Sequence, residues 1–129
     1  MSVEEYETVF QLVSVVEGTI AEDSTTSGID VLRASLPPGS MTGAPKKLSC
    51  ELLGAIEGYD KPRGLYSGVL GYFDVGGGGD FSVVIRSAFR WNAGPWQIDA
   101  GGAVTALSEP EAEWEEMVAK RESVLQLFR

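Results

Sequence analysis

"GLYSGVLGYFDVGGGGDFSVVIRSAFRW", residues 64–91, is the stretch whose reading decides the fold. Two runs rich in Val, Ile, Tyr and Phe flank four consecutive glycines and an aspartate. Such runs around a Gly-rich turn predict a β-hairpin. "NAGP" (92–95) turns again into "WQIDAGGAV" (96–104), so the spacing predicts an antiparallel meander of three strands.

Working outward, the C-terminal stretch reads as a helix. Ser108 and Glu111 form an S-x-x-E capping box with Pro110 in the first turn. Glu109, Glu111 and Glu113 place negative charge at the positive end of the helix dipole. Met117, Val118, Val124, Leu125 and Phe128 supply apolar contacts. On the N-terminal side, "LPPGSMTGAPKK" (36–47) is a loop of helix breakers that feeds a helix over Lys46–Glu57. Pro45 suits that helix's first turn, and Leu48, Leu52 and Ile56 recur every four residues to make an apolar face. Free backbone N–H groups at such a helix start, with Lys46 beside them, favour an anion; an ordinary loop-to-helix turn with solvated lysines is the plainer alternative. "TTSGIDVLRASL" (25–36) predicts a short helix with Ile29, Leu32 and Leu36 on one side. A possible S-x-x-E cap at Ser2 and Glu5 precedes a β-branched strand around Val9–Val16. The sum is an α+β pattern, an antiparallel sheet meander with helices packed on it.

The chain has 129 residues, 43% of them apolar, which suits one small domain or a piece of a larger one. Ten basic side chains against 19 acidic ones give a net charge of −9, which argues against nucleic acid as a partner. An anionic ligand must therefore be captured by a local cluster of Arg, Lys, backbone N–H or metal. There is no histidine, which excludes imidazole metal sites and His-based triads. No apolar run reaches membrane-spanning length. The single Cys50 forms no internal disulfide, and a reducing, cytoplasmic compartment is its expected home.

Glu113, Glu116 and Lys120 share one helix stripe. Two carboxylates there can hold Mg²⁺ while Lys120 reaches an anion; equally, the stripe can be a solvated face carrying an i,i+4 pair. Arg86 interrupts the apolar run "VVIRSAF" on the row of Val84 and Ala88. Either it pairs with a carboxylate, as its fork favours, or that row is the solvent face. The glycines of "YSGVLGY" and "AGGAV" let a backbone approach a ligand closely, or mark bulges and strand crossings.

Taken together, these motifs resemble the chorismate-utilising enzymes near their C-terminus. The resemblance is carried, in colinear order, by "PGSMTGAPK" (38–46), "YSGVLGY" (66–72), "FSVVIRSA" (81–88), "AGGAV" (100–104) and "PEAEWEEMVAK" (110–120), and more loosely by "QLVSVVEG" (11–18). It implies membership in a larger four-layer α/β/β/α chorismate-binding fold, of which residues 1–129 would be the C-terminal portion. It further implies Glu113 and Glu116 as Mg²⁺ ligands, with Lys120 and Glu113 acting in catalysis. Ser40, Thr42, Tyr66, Arg86, Gly101, Gly102 and Lys120 would contact chorismate. "SMTGAPK" is closer to the p-aminobenzoate branch, which aminates chorismate with ammonia from a glutamine amidotransferase domain or subunit, than to the anthranilate or isochorismate branches. Gln11 stands where anthranilate-type members usually carry His, and Leu107 where an Asp before Ser is common. The family's N-terminal half, with the remaining metal carboxylates, is expected as a missing partner, so this chain alone is expected to show little activity. A non-catalytic fragment that docks on a partner is the reading from another class.

Overall fold

The structure, a computed structural model, describes residues 1–129. The run that opens the sequence forms a hairpin: β3 (Val69–Phe73) pairs antiparallel with β4 (Gly79–Val83), placing Gly71 opposite Phe81. Two strands nearer the N-terminus, β1 (Ser2–Glu5) and β2 (Phe10–Val13), form a hairpin of their own. The β3–β4 turn is closed by Asp74, whose N–H donates to Gly78 O at 2.8 Å and whose Oδ1 accepts from Gly78 N–H at 2.9 Å. Gly71 has no room for a side chain, since a Cβ there would stand 2.1 Å from the Asp80 carbonyl oxygen.

The three-stranded meander is not formed. β5 (Ala88–Phe89) pairs with β6 (Gln97–Ile98), and the chain holds three separate two-stranded sheets. The break has a local cause. Ser67 N–H donates to Val84 O at 3.0 Å and Val84 N–H donates to Gly68 O at 2.9 Å, so two residues oppose one in a β-bulge. Ser67 takes the left-handed position of that bulge at φ 68°, where glycine is usual, and Arg86 follows at φ 52°. The continuous strand over 81–91 therefore ends at Val83. Arg86 lies in the connection, where strand alternation says nothing about its direction. The cap at Ser2 and Glu5 is likewise absent, because both residues belong to β1.

The helices follow the sequence more closely. α1 spans Gly28–Ser35 and carries a capping box in which Ser27 accepts from Asp30 N–H while Asp30 accepts from Ser27 N–H. A short turn, α2 (Gly39–Thr42), leads to α3 (Lys46–Glu57), with Pro45 as its N-cap. Lys46 does not wait for an anion: its Nζ donates to Ser35 O at 2.9 Å, capping the carbonyl end of α1. α4 runs Pro110–Leu125 and buries Val124. The expected cap of α4 is replaced, for Glu109 is the N-cap and no side chain caps it. At the other end, Phe128 packs against Trp96 at 5.3 Å between ring centroids, and Arg90 lies 4.9 Å over the same Trp96 ring.

Only Val124 and Ser67 are buried, and neither completely. The accessible surface is 10725 Å², whereas the size scaling of compact monomers gives roughly 6,600 Å² for 13.8 kDa. The apolar stripe of α3 lies in this open surface: Leu48, Leu52 and Ile56 are 52%, 56% and 81% exposed. The helix turns Cys50 and Leu53 toward the body instead. No helix is long and apolar enough to cross a membrane.

Candidate functional site: an anion pocket beside two carboxylates

The bulge, the Arg86 connection, the α2 turn and α4 meet around residues 100–103. Ser40, Met41, Tyr66, Ile85, Arg86, Gly101, Gly102, Ala103 and Lys120 line one pocket of about 160 Å³. Six of the residues singled out from the sequence thus share one space. Thr42 does not join them: it lines the adjoining cleft of about 390 Å³ beneath α3, and its hydroxyl donates back to the carbonyls of Pro38 (3.3 Å) and Gly39 (3.4 Å). Tyr66 borders both spaces.

Two glycines set the geometry. A Cβ at Gly101 would stand 2.9 Å from the Tyr66 hydroxyl, so the phenol lies over the bare backbone. A Cβ at Gly102 would stand 2.9 Å from Glu113 Oε2 and 3.4 Å from Glu116 Oε2, so both carboxylates converge there. Glu113 Oε1 accepts from Ser108 Oγ at 2.5 Å, while Glu113 Oε2 is buried without a hydrogen-bond partner. A buried carboxylate oxygen with no donor carries a desolvation penalty that a bound cation would relieve. The donor set, two carboxylates around an open glycine turn, fits a hard divalent cation completed by water or ligand oxygens. Two is also its limit, since no group of three or more His, Cys, Asp or Glu side chains able to hold a metal is present.

Lys120 Nζ stands 2.8 Å from Glu116 Oε1 and donates to Gly101 O at 3.4 Å. The hydrogen bond from Lys120 holds the Glu116 carboxyl below the usual carboxylate range, opposed by partial desolvation and reinforced by the Lys120 charge, Glu113 and the more distant Arg86 charge. Arg86 is exposed and forms no ion pair. Its guanidinium is therefore available to a ligand carboxylate, and its left-handed backbone is the kind of local strain that clusters at binding sites. Sequence reasoning missed Ser108 as the partner of Glu113. A separation of five residues across a helix start matches no helical spacing, so no periodic signal marked it.

Fold and site define an α+β scaffold with a cationic pocket set against a carboxylate pair. The family model for chorismate binding enzymes matches residues 1–126, and the chain belongs to that family. It is 54% identical over 140 residues to the aminodeoxychorismate synthase of Saccharomyces cerevisiae, covering 99% of this chain and 18% of that protein. It is 52% identical over 128 residues to the putative aminodeoxychorismate synthase of Schizosaccharomyces pombe, covering 98% and 17%. The anthranilate synthase component 1 of Mycolicibacterium smegmatis is more distant, at 42% over 123 residues, covering 95% and 22%. The chain thus spans less than a quarter of the length of each of these relatives. No solved structure matches.

Proposed function

We propose that this chain is the C-terminal, chorismate-binding part of an aminodeoxychorismate synthase, which replaces the C4 hydroxyl of chorismate with ammonia on the route to p-aminobenzoate and folate. The observation that carries the reading is the shared pocket of Arg86, Lys120, Tyr66 and Ser40 against the Gly101–Gly102 turn. Arg86 and Lys120 would each hold a carboxylate, Tyr66 and Ser40 would orient the ring, and the bare glycine backbone would let it approach. Lys120 and Glu113 are the side chains beside that turn able to hold or move a proton. Glu113 and Glu116 would bind Mg²⁺, which supplies Lewis-acid and templating chemistry when present. Ammonia would come from a glutamine amidotransferase domain or subunit. The amination branch is favoured over the anthranilate branch by identities of 52–54% against 42%.

The pocket is a single wall. Its volume of about 160 Å³ falls below the roughly 300–1,000 Å³ of sites that enclose a whole ligand. The excess surface and the open α3 stripe support a missing N-terminal half that completes the four-layer domain and its metal ligands. The lone Cys50 supports a reducing location such as the cytoplasm, although the name of the Arabidopsis thaliana relative marks that protein as chloroplastic.

The test is to incubate the chain with chorismate, Mg²⁺ and ammonium and to follow binding by calorimetry and products by mass spectrometry. Weak chorismate binding that is lost in Arg86→Ala, without turnover, is expected. Absence of binding by the folded chain would refute the site. An amino-chorismate product that disappears in Glu116→Ala would refute the half-domain part of the reading.

A further inference from the structure

The hydroxyl of Ser108 sits in a one-way relay. Leu107 N–H donates to Thr105 Oγ1 at 3.2 Å, and the Thr105 and Ser108 hydroxyls lie 3.3 Å apart. Ser108 Oγ also accepts from Thr105 N–H at 2.9 Å. A serine hydroxyl has one proton and two acceptor positions, and here the Thr105 backbone N–H and the Thr105 hydroxyl fill the acceptor side. The proton is left for Glu113 Oε1 at 2.5 Å, far closer than the alternative acceptor, Ala103 O at 3.4 Å. A hydroxyl donating to a carboxylate at this distance is a strong, charge-assisted bond, and the donors behind it polarise it further. The consequence falls on the other oxygen. With Oε1 fixed, Glu113 Oε2 is held, buried and unpartnered, over Gly102 on the side where Glu116 Oε2 also points.

We infer that Ser108 is a positioning residue for a divalent cation: its hydroxyl locks the Glu113 carboxylate so that Oε2, beside Glu116 Oε2 at Gly102, is presented as a ligand. The inference rests on the reading of Glu113 and Glu116 as the cation-binding pair. It gives Ser108, which stands one residue before the N-cap of α4 and caps nothing there, a role in metal affinity rather than helix initiation. Outer partners that orient a ligating carboxylate typically set metal affinity by about 10–100-fold.

The experiment uses the full chain and Mn²⁺ alone as the probe, titrated while water-proton relaxation is recorded, with a urea melt of each variant in the absence of metal. Ser108→Ala is expected to weaken Mn²⁺ binding about tenfold or more, and Ser108→Thr, which keeps the hydroxyl, to restore it. Glu116→Gln separates the two levels of the argument. If Glu116→Gln abolishes binding while folded Ser108→Ala matches wild type, the positioning role is overturned and the cation site stands. If Glu116→Gln leaves binding unchanged, the cation site itself is wrong and the inference falls with it. Should Ser108→Ala fail to fold, Ser108→Cys, similar in shape but a much weaker donor, is read in its place; wild-type affinity there overturns the inference.

Discussion

Gly102→Ala is the sharpest perturbation the geometry offers. A Cβ built on Gly102 lies 2.9 Å from Glu113 Oε2, and ordinary contact begins at 3.4 Å, so the oxygen must retreat by about 0.5 Å. It cannot simply swing away, because Oε1 is tied to Ser108 at 2.5 Å. The same methyl group sits at the contact limit, 3.4 Å, of Glu116 Oε2, so both carboxylates are pushed off the turn. Mg²⁺ demands near-octahedral geometry at about 2.0–2.1 Å, and functional sites hold metal–ligand distances within about 0.2 Å. A displacement of 0.5 Å therefore exceeds the tolerance, and a loss of Mg²⁺ affinity of at least about tenfold, or 1.4 kcal/mol, is expected. On stability the clash with Glu113 and the unfolded-chain gain oppose each other, so little net change in the metal-free protein is expected. Gly102 is not among the glycines with positive φ, and Gly→Ala at a compatible position stabilises by about 0.4–1 kcal/mol through the unfolded chain. The assay is Mg²⁺ calorimetry paired with urea unfolding of the metal-free protein. Unchanged affinity in a folded Gly102→Ala chain would show that the two oxygens do not bind the cation at this turn.

Three further outcomes can be checked with the same protein. Arg86→Lys keeps the charge but loses the two-pronged fork, so chorismate affinity should drop by about 10–150-fold, or 1.5–3 kcal/mol, in calorimetry; a change under threefold would remove Arg86 from the site. Glu116 titrates below the usual glutamate value because the hydrogen bond from Lys120 stabilises its charged form. The Glu116–Lys120 pair is thus intact above that value and lost as pH falls through the depressed pKa; ¹³C carboxyl NMR should show the midpoint rising in Lys120→Gln, whereas an unmoved midpoint would disprove the pairing. Ser67→Gly relaxes a left-handed residue at φ 68° and should stabilise the protein by about 1 kcal/mol in urea unfolding; no gain would refute the strain assigned to Ser67.

How much of this was legible before the structure depends on the kind of signal. α1, α3 and α4 were readable because helix starts advertise themselves through Pro45, Pro110 and the apolar period. The β3–β4 hairpin was readable because its turn glycines are bracketed by strand formers. What failed was continuity. Nothing in "YSGVLGY" or "VVIRSAF" announces that Ser67 and Arg86 adopt left-handed backbone, since both residues are ordinary strand or loop members by propensity. That one feature split the meander and voided the alternation argument for Arg86. The spacing of Leu48, Leu52 and Ile56 marks an apolar stripe, but periodicity tells only that a face is apolar and not what covers it; here nothing does. At the site, motif order gathered the pocket residues, while the Ser108–Glu113 bond escaped because it depends on a turn whose shape the spacing does not encode.

The charge arithmetic of the site links these levels. A chain of net charge −9 repels a dicarboxylate at long range, so capture depends on the few cations facing the pocket. Lys46 is committed to the α1 carbonyl end, and Lys120 is committed to Glu116 at 2.8 Å, which leaves Arg86 as the one unpaired cation on the pocket wall. A cation that takes over Glu116 would free Lys120 for an anionic ligand and neutralise the carboxylates that oppose it. Binding of metal and of substrate would then favour one another by the same factor in either order, as linkage requires. The short ion pair on α4 is thus more than surface decoration. It keeps two opposite charges in place beside the Gly101–Gly102 turn, where the proposed metal and the proposed substrate would each call on one of them.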